Sequence, residues 1–312
     1  GLMVISAQLM VYGCIQYQFN GLYYGSIIYY GYIVSFLFHG IHECVHRTAF
    51  KTKYYNDAVA TIFGFLCLRP PNHYKYYHWA HHKYTGSIEK DPELQNTFID
   101  IDIKDSLLNY ILYISGVLFW IDRITTLLRH SMVFILDEFN VKNITLEEYL
   151  LPKKLEYYLQ SSRVRYIVSK EAFIFVVLYV AILILCYILN INSYLYQYYI
   201  LPSIIGQMFL RFYLIGEHNG CVTHTNMWLN TRSTNTYYIE SKLAWFMNYH
   251  MEHHAYPDIP FYLLPKLHDI IKQRLVNKDF YAQSGCKPNG SNGYISINWK
   301  IIRHCMEILR KF

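Results

Sequence analysis

The sequence predicts an all-α integral membrane protein, with four transmembrane helices in two hairpins and a cytoplasmic helical cap that carries clustered histidines. Three observations lead there: two long zones without Lys or Arg, a composition poor in charge, and histidines that recur at helical spacing beyond the apolar zones. Of the 312 residues, 53% are apolar, 18% aromatic and only 16% charged, where a soluble domain carries roughly a quarter charged residues. Disorder is excluded, because 33 Tyr, 18 Phe and 5 Trp supply far more burial than a solvated chain keeps. The net charge of +6 does not indicate a nucleic-acid partner, since Lys and Arg form no patch or run along the chain.

Residues 1–40 and 171–210 contain no Lys or Arg. In the first zone, 2–19 and 22–41 are uncharged apolar stretches separated by Asn20 and Gly21, each long enough to cross a hydrocarbon core of about 30 Å. The second zone repeats the arrangement, with 172–189, a polar turn at 190–193, and 194–215, interrupted by Pro202 and Arg211. A weaker run, 107–121, has a length that suits a re-entrant or interfacial helix. The positive-inside rule then puts 42–171 and 216–312 on the cytoplasmic side. The whole chain, 1–312, reads as one membrane domain. Residues 2–19 lack a basic flank and a cleavage site, so they do not read as a signal peptide, and a chain that starts at Gly1 suggests a missing preceding segment.

Seven cysteines form no C-x-x-C pair, and their odd number and mainly cytoplasmic placement predict free thiols. The glycosylation sequons at Asn143 and Asn289 fall on the same side and are expected to stay unmodified. Residues 262–275 alternate Leu and Ile with Lys and Arg at helical spacing, as in a helix lying on a membrane surface or in a soluble core. From Ala282 onward the chain reads as a loop and a short helix.

The histidines carry the chemistry. His42 and His46 stand at i and i+4 just past the second apolar stretch, so their imidazoles share one helix face. His78-Trp79-Ala80-His81-His82 and His250-Met251-Glu252-His253-His254 repeat the form H-x-x-H-H, and His218 follows the fourth stretch. All four elements fall on one predicted side of the membrane and can converge. Nine imidazoles exceed what one ion takes, because zinc uses four ligands and a catalytic site leaves one position open. Two metal ions are the economical count. Imidazole suits iron, copper, zinc and nickel alike.

These motifs resemble the integral-membrane fatty acid desaturase and hydroxylase superfamily, which has three histidine boxes and a non-haem di-iron centre. His78 to Gly86 followed by Asp91-Pro92-Glu93 is similar to the second box with its downstream sequence. Asn230-Thr231-Arg232, Asn248 to His254, Pro257, Pro260 and Leu264 to His268 are similar to the third-box region. The resemblance covers about 39–270 and implies the metal ligands His42, His46, His78, His81, His82, His218, His250, His253 and His254. Asn219 keeps open a water-mediated ligand, and the first box has three intervening residues where some acyl-CoA desaturases have four. It also implies two irons, O2 as co-substrate, a membrane lipid or acyl substrate, and, in a eukaryote, the endoplasmic reticulum membrane. The expected reaction is desaturation of an acyl chain; lipid or carotenoid hydroxylation or ketolation within the same superfamily is the alternative. The chain contains no His-Pro-Gly-Gly haem stretch and no Gly-x-Gly-x-x-Gly fingerprint. The resemblance implies a separate cytochrome b5 or ferredoxin as the electron donor.

Glu43, Asp91, Glu217 and Glu252 adjoin the boxes and could orient imidazole N–H groups, although surface ion pairs would place carboxylates there too. His39 reads as an interfacial side chain, and His73, His224 and His268 as structural or surface residues. Arg232 could hold the third-box loop or a substrate head group. The many tyrosines fit an interfacial belt as well as any redox role. A different class also fits one motif, because His42-Glu43-x-x-His46 satisfies H-E-x-x-H of zinc proteases, but it leaves both H-x-x-H-H clusters without a task. A metal carrier would hold its site near the bilayer midplane, whereas these histidines lie beyond the apolar stretches.

Overall fold

The computed structural model describes residues 2–95, 103–141, 157–159, 161–221, 225–275 and 293–310, and these contain helices and no strand. In chain order the helices are α1 (Leu2–Gln16), α2 (Asn20–Ser35), α3 (Leu37–His46), α4 (Lys53–Leu66), α5 (Pro71–Tyr84) and α6 (Pro92–Gln95). They continue with α7 (Leu107–Ser115), α8 (Val117–Glu138), α9 (Ser162–Ile188) and α10 (Asn192–His218). The last five are α11 (Met227–Asn230), α12 (Tyr238–Leu243), α13 (His250–Ala255), α14 (Leu264–Leu275) and α15 (Gly293–Leu309).

Among the described residues three units are long and apolar enough to cross a membrane, α2 with α3 over Gly21–His46, α9, and α10, or four if a bent pair counts as one span. The four spans expected from the sequence are therefore met in part. Helix α1 packs on α2 through Ala7, Val11, Ile27 and Tyr30, but its 15 residues rise only about 22 Å, short of the hydrocarbon thickness. It ends early because Gln18 takes a left-handed φ of 54° ahead of Asn20 and Gly21. Helix α9 begins at Ser162, well before residue 172, so Arg163, Arg165 and Lys170 extend the apolar stretch as helix rather than ending it. The weak run 107–121 becomes a bent pair, α7 and α8, angled by 52° at Gly116, which is either a broken span or a re-entrant loop. Gly116 serves there because its φ of 69° lies where a side chain is disfavoured.

The centre of the bundle is the α2–α10 contact, and two glycines permit it. A Cβ on Gly31 would lie 2.6 Å from Ile205 Cγ2, and one on Gly206 would lie 2.9 Å from the Gly31 carbonyl oxygen. Backbone approach at this crossing brings the C-terminal ends of α3 and α10, with His42, His46 and His218, to the same end of the bundle. Helix α5 packs against α3 there through Phe38, Ile41, Val45, Tyr74 and Tyr77, and α13 joins α11 and α14 beside it. Of the seven cysteines, Cys14, Cys44, Cys67, Cys186 and Cys305 form no disulfide. Cys221 is disulfide-bonded, which corrects the expectation of free thiols throughout: pairing follows proximity in space, and spacing along the chain carries no sign of it. Both sequons lie outside the described residues.

Candidate metal centre

Three of the four histidine-bearing elements, α3, α5 and α13, are short helices, and His218 ends the long helix α10. Helix α3 stops one residue after His46, where Arg47 turns left-handed at φ 63°, and its side chain is held by Asp57 of α4 at 3.2 Å. Helix α5 starts at Pro71, whose fixed φ suits the first helical position. Helix α13 follows a turn in which Trp245 and Phe246 both take positive φ.

The ligand atoms of His42, His46, His78, His82 and His253 all lie within 4.8 Å of one another, and so, as a second group, do those of His81, His218 and His254. His250 stands beside the second group, with its Nε2 2.9 Å from His218 Nε2 and its ring centroid 4.5 Å from that of His254. The two groups touch where His82 stacks on His254 at 4.2 Å. Thus all nine predicted imidazoles meet in one place. His39 does not join them; it packs against Phe36 and Phe38.

The donor set fits metal ions. His78 and His82 bring their Nε2 atoms to 3.0 Å, and His82 and His253 bring theirs to 3.2 Å. Two nitrogens on adjacent positions of one ion, each at about 2.1 Å from it, stand ~3 Å apart. Nε2 of His42, His46 and His254 is buried without a hydrogen-bond partner. Such groups are costly to leave unsatisfied in a protein interior, and a shared cation satisfies several lone pairs at once. Burial, with mutual repulsion of their positive forms, pushes His78, His82, His250, His253 and His254 well below the ordinary imidazole pKa, so their lone pairs are free for a metal.

His81 differs. Burial pushes it down, but the Asp91 and Glu93 carboxylates and a hydrogen bond to Asp91 outweigh burial and hold it up at about 9. Its Nδ1 lies 2.9 Å from Asp91 Oδ1, and Asp91 also accepts from the backbone N–H groups of Gly86 and Glu93. Among the other carboxylates, Glu43 is fully buried, takes the Thr48 hydroxyl at 3.1 Å, and lies 3.8 and 3.7 Å from Nδ1 of His42 and His253. Glu217 stands 3.7 Å from His250 Nε2. Glu252 turns to Ser233 and to His268 Nδ1, 2.6 Å away, rather than to a box imidazole; with it, His268 takes a structural role that ties α13 to α14. His73 lies 4.9 Å from the ring of His130, away from both groups, and His224 lies outside the described residues. Arg232 bonds the Asn219 carbonyl and Cys221 Sγ, which makes it a brace for the loop after α10.

Two residues that orient ligands were not assigned a role from the sequence. The Asn230 carbonyl stands 3.0 Å from His218 Nδ1, while the Asn230 side chain donates to the Thr85 carbonyl at 2.9 Å. Thr85 donates its hydroxyl to the His81 carbonyl and faces His254 Nδ1 at 3.3 Å. Thr85 stands four residues after His81, a helical spacing that could have marked it. Nothing in the sequence says that Asn230 would face a histidine twelve residues earlier.

A crevice of about 380 Å³ reaches His46, His82 and His254 between Trp79, Met227 and Pro257. A larger apolar cleft of about 1070 Å³ lies between α2, α10 and α15, lined by Ile28, Met208, Phe212, Tyr213, Glu240 and Tyr294 among others. No curated protein matches the chain. The fatty acid desaturase family matches residues 21–284, a stretch that holds both histidine groups. With that match over most of its length, and with apolar helices that mark a membrane protein, the chain belongs to the fatty acid desaturase family.

Proposed function

We propose that this protein oxidises the acyl chain of a lipid with O2 and introduces a carbon–carbon double bond, using two iron ions held by the nine histidines. The observation that carries this reading is the pair of adjoining imidazole groups, joined at His82 and His254, at the end of a membrane bundle. When bound, the irons supply the oxidant: O2, two electrons and two protons become two waters while neighbouring methylenes lose two hydrogens. His42, His46, His78, His82 and His253 serve one ion; His81, His218, His250 and His254 serve the other. Asp91, the Asn230 carbonyl and Thr85 take the Nδ1 protons of His81, His218 and His254, which points each Nε2 inward. Glu43 and Glu217 lie within 4 Å of ligand imidazoles and can hold protons beside the centre.

The burial of most of these imidazoles limits water near the oxidant, and the apolar cleft beside the bundle gives a lipid chain room. We read the chain as a single domain with 42–171 and 216–312 facing the cytoplasm, in the endoplasmic reticulum membrane if eukaryotic. There a separate cytochrome b5 or ferredoxin would deliver electrons. A zinc protease centred on His42 and His46 is disfavoured because three further imidazoles share their site and Glu43 accepts from Thr48.

The test is expression in a host of defined lipid composition, with His81→Ala as control, followed by mass spectrometry of the lipids and metal analysis of the purified protein. New double bonds and about two irons per chain support the reading. Hydroxylated lipid alone would reject desaturation, and a single zinc would reject the oxidase.

A further inference from the structure

Arg211 interrupts the apolar helix α10 and is only 3% exposed. Its guanidinium lies 3.4 Å over the ring of Phe119 on α8. Arg123, one turn further along α8 on the same face as Phe119, is 4% exposed and gives one N–H to the Cys67 carbonyl at 3.1 Å. Two residues beyond Cys67, Arg69 lies over the ring of Tyr74 at 4.2 Å. Three guanidiniums, from the α4–α5 link, α8 and α10, are thereby linked through shared neighbours, Arg69 half-buried and Arg123 and Arg211 buried.

Their charges are answered only in part, Arg211 by a hydrogen bond to the Tyr113 side chain. Nε of Arg69, Nε and Nη2 of Arg123 and Nε of Arg211 are buried without a hydrogen-bond partner, and among the described residues none of the three guanidiniums forms an ion pair. Asp122, Glu93 and Glu217 act on them electrostatically. Aromatic faces offset part of a cation's desolvation but satisfy no N–H. Burying unpaired charge is among the costliest things a fold can do, and ionisable groups inside membrane segments mark ligand sites. Guanidinium N–H pairs match the oxygens of a carboxylate or phosphate.

We propose that Arg69, Arg123 and Arg211 form a binding site for the anionic head of a lipid, a carboxylate or a phosphate. A lipid is the source because Arg211 lies within a helix of membrane-crossing length. The site adjoins the metal centre through one shared wall: Tyr74 carries Arg69 on its ring and stacks on His78 at 5.1 Å. The inference goes beyond the oxidase reading and is tested without measuring turnover.

The purified full chain in nanodiscs of neutral phosphatidylcholine is titrated with phosphatidic acid, oleate, methyl oleate or inorganic phosphate. Tm and bound lipid by native mass spectrometry are followed. The expected result is a saturable rise in Tm with bound phosphatidic acid or oleate, and no rise with methyl oleate. Inorganic phosphate alone giving the full rise would overturn the lipid assignment, and no saturable response to any anion would overturn the site. Arg123→Gln and Arg211→Gln should abolish the response and raise Tm of the anion-free protein, since each removes a buried charge without an ion-pair partner. A lowered Tm with the anion response intact would mean a structural guanidinium and would also overturn the site. Arg123→Lys, which keeps the charge but not the planar fork, should give a weakened rise.

Discussion

In the three-histidine group every imidazole is pinned at Nδ1, His81 by Asp91, His218 by the Asn230 carbonyl and His254 by Thr85. In the five-histidine group Nδ1 of His78, His82 and His253 has no hydrogen-bond partner, and the nearest carboxylate, Glu43, stands 3.8 and 3.7 Å from His42 and His253. The first device fixes the tautomer through hydrogen bonds; the second fixes ring positions by packing three helices against one another. Changes outside the ligand set should therefore act in graded fashion on the three-histidine group, while the five-histidine group should respond chiefly to loss of a ligand.

The largest effect is expected from His253→Ala, which removes the fully buried ligand that meets His42, His46 and His82. Metal analysis should show the five-histidine ion lost, with activity down by more than ~100-fold, beyond the usual range for an outer partner. Retention of both ions would break the assignment of ligands to groups.

Next is Asp91→Asn, expected to weaken metal binding or activity by ~10–100-fold through the three-histidine group alone. The same pair gives a pH signature in the metal-free protein. His81, raised from 6.5 to about 9, contributes stability that is complete below its unfolded pKa and lost as pH rises through about 9. Asp91 is held below its ordinary 3.8, where burial is outweighed by His81 and the backbone N–H groups. Its contribution is present above that value and lost as pH falls through the folded pKa. The stability gap between the parent and Asp91→Asn should thus be widest between about pH 4 and 6.5 and close towards pH 9. Loading the three-histidine site at pH 7 should release the His81 proton, measurable by titration in weak buffer, while the neutral imidazoles of the other group release none. Equal release from both would remove the distinction between them.

A smaller effect is expected for Thr85→Val, which leaves His254 Nδ1 without its partner at a cost of ~1–3 kcal/mol, read as a lowered Tm with both ions still bound. The smallest belongs to His39→Phe. Although three residues before His42 and 2% exposed, His39 packs against the rings of Phe36 and Phe38 and lies outside both ligand groups, and metal content should not change.

Much of the site was legible because helical spacing is a local property. The i, i+3 and i+4 positions of the boxes place their imidazoles on shared faces whatever the rest of the chain does, and the zones free of Lys and Arg mark the apolar helices. The boundaries were less legible. Helix α9 runs through Lys170 and Glu171 because Glu171 finds Asn72, 99 residues away, at 2.8 Å, and α1 is cut short by a local turn. The contrast between pinned and packed ligands was legible only in part: Asp91 and Glu43 adjoin the boxes, but Asn230 and Thr85 face histidines 12 and 169 residues away. The same holds for the arginines, of which only Arg211 drew notice as an irregularity within an apolar stretch.

The sequence by itself determined that this is a helical membrane protein whose histidines can share metal ions, because hydrophobic length and helical periodicity act within a few turns of chain. Tertiary structure decided how the nine imidazoles divide into two groups, which carboxylate serves which ring, and that three arginines come together without an ion-pair partner among the described residues. Those outcomes depend on the angle and closeness of helix crossings, such as the Gly31–Gly206 contact, and packing over such distances leaves no periodic trace in the chain.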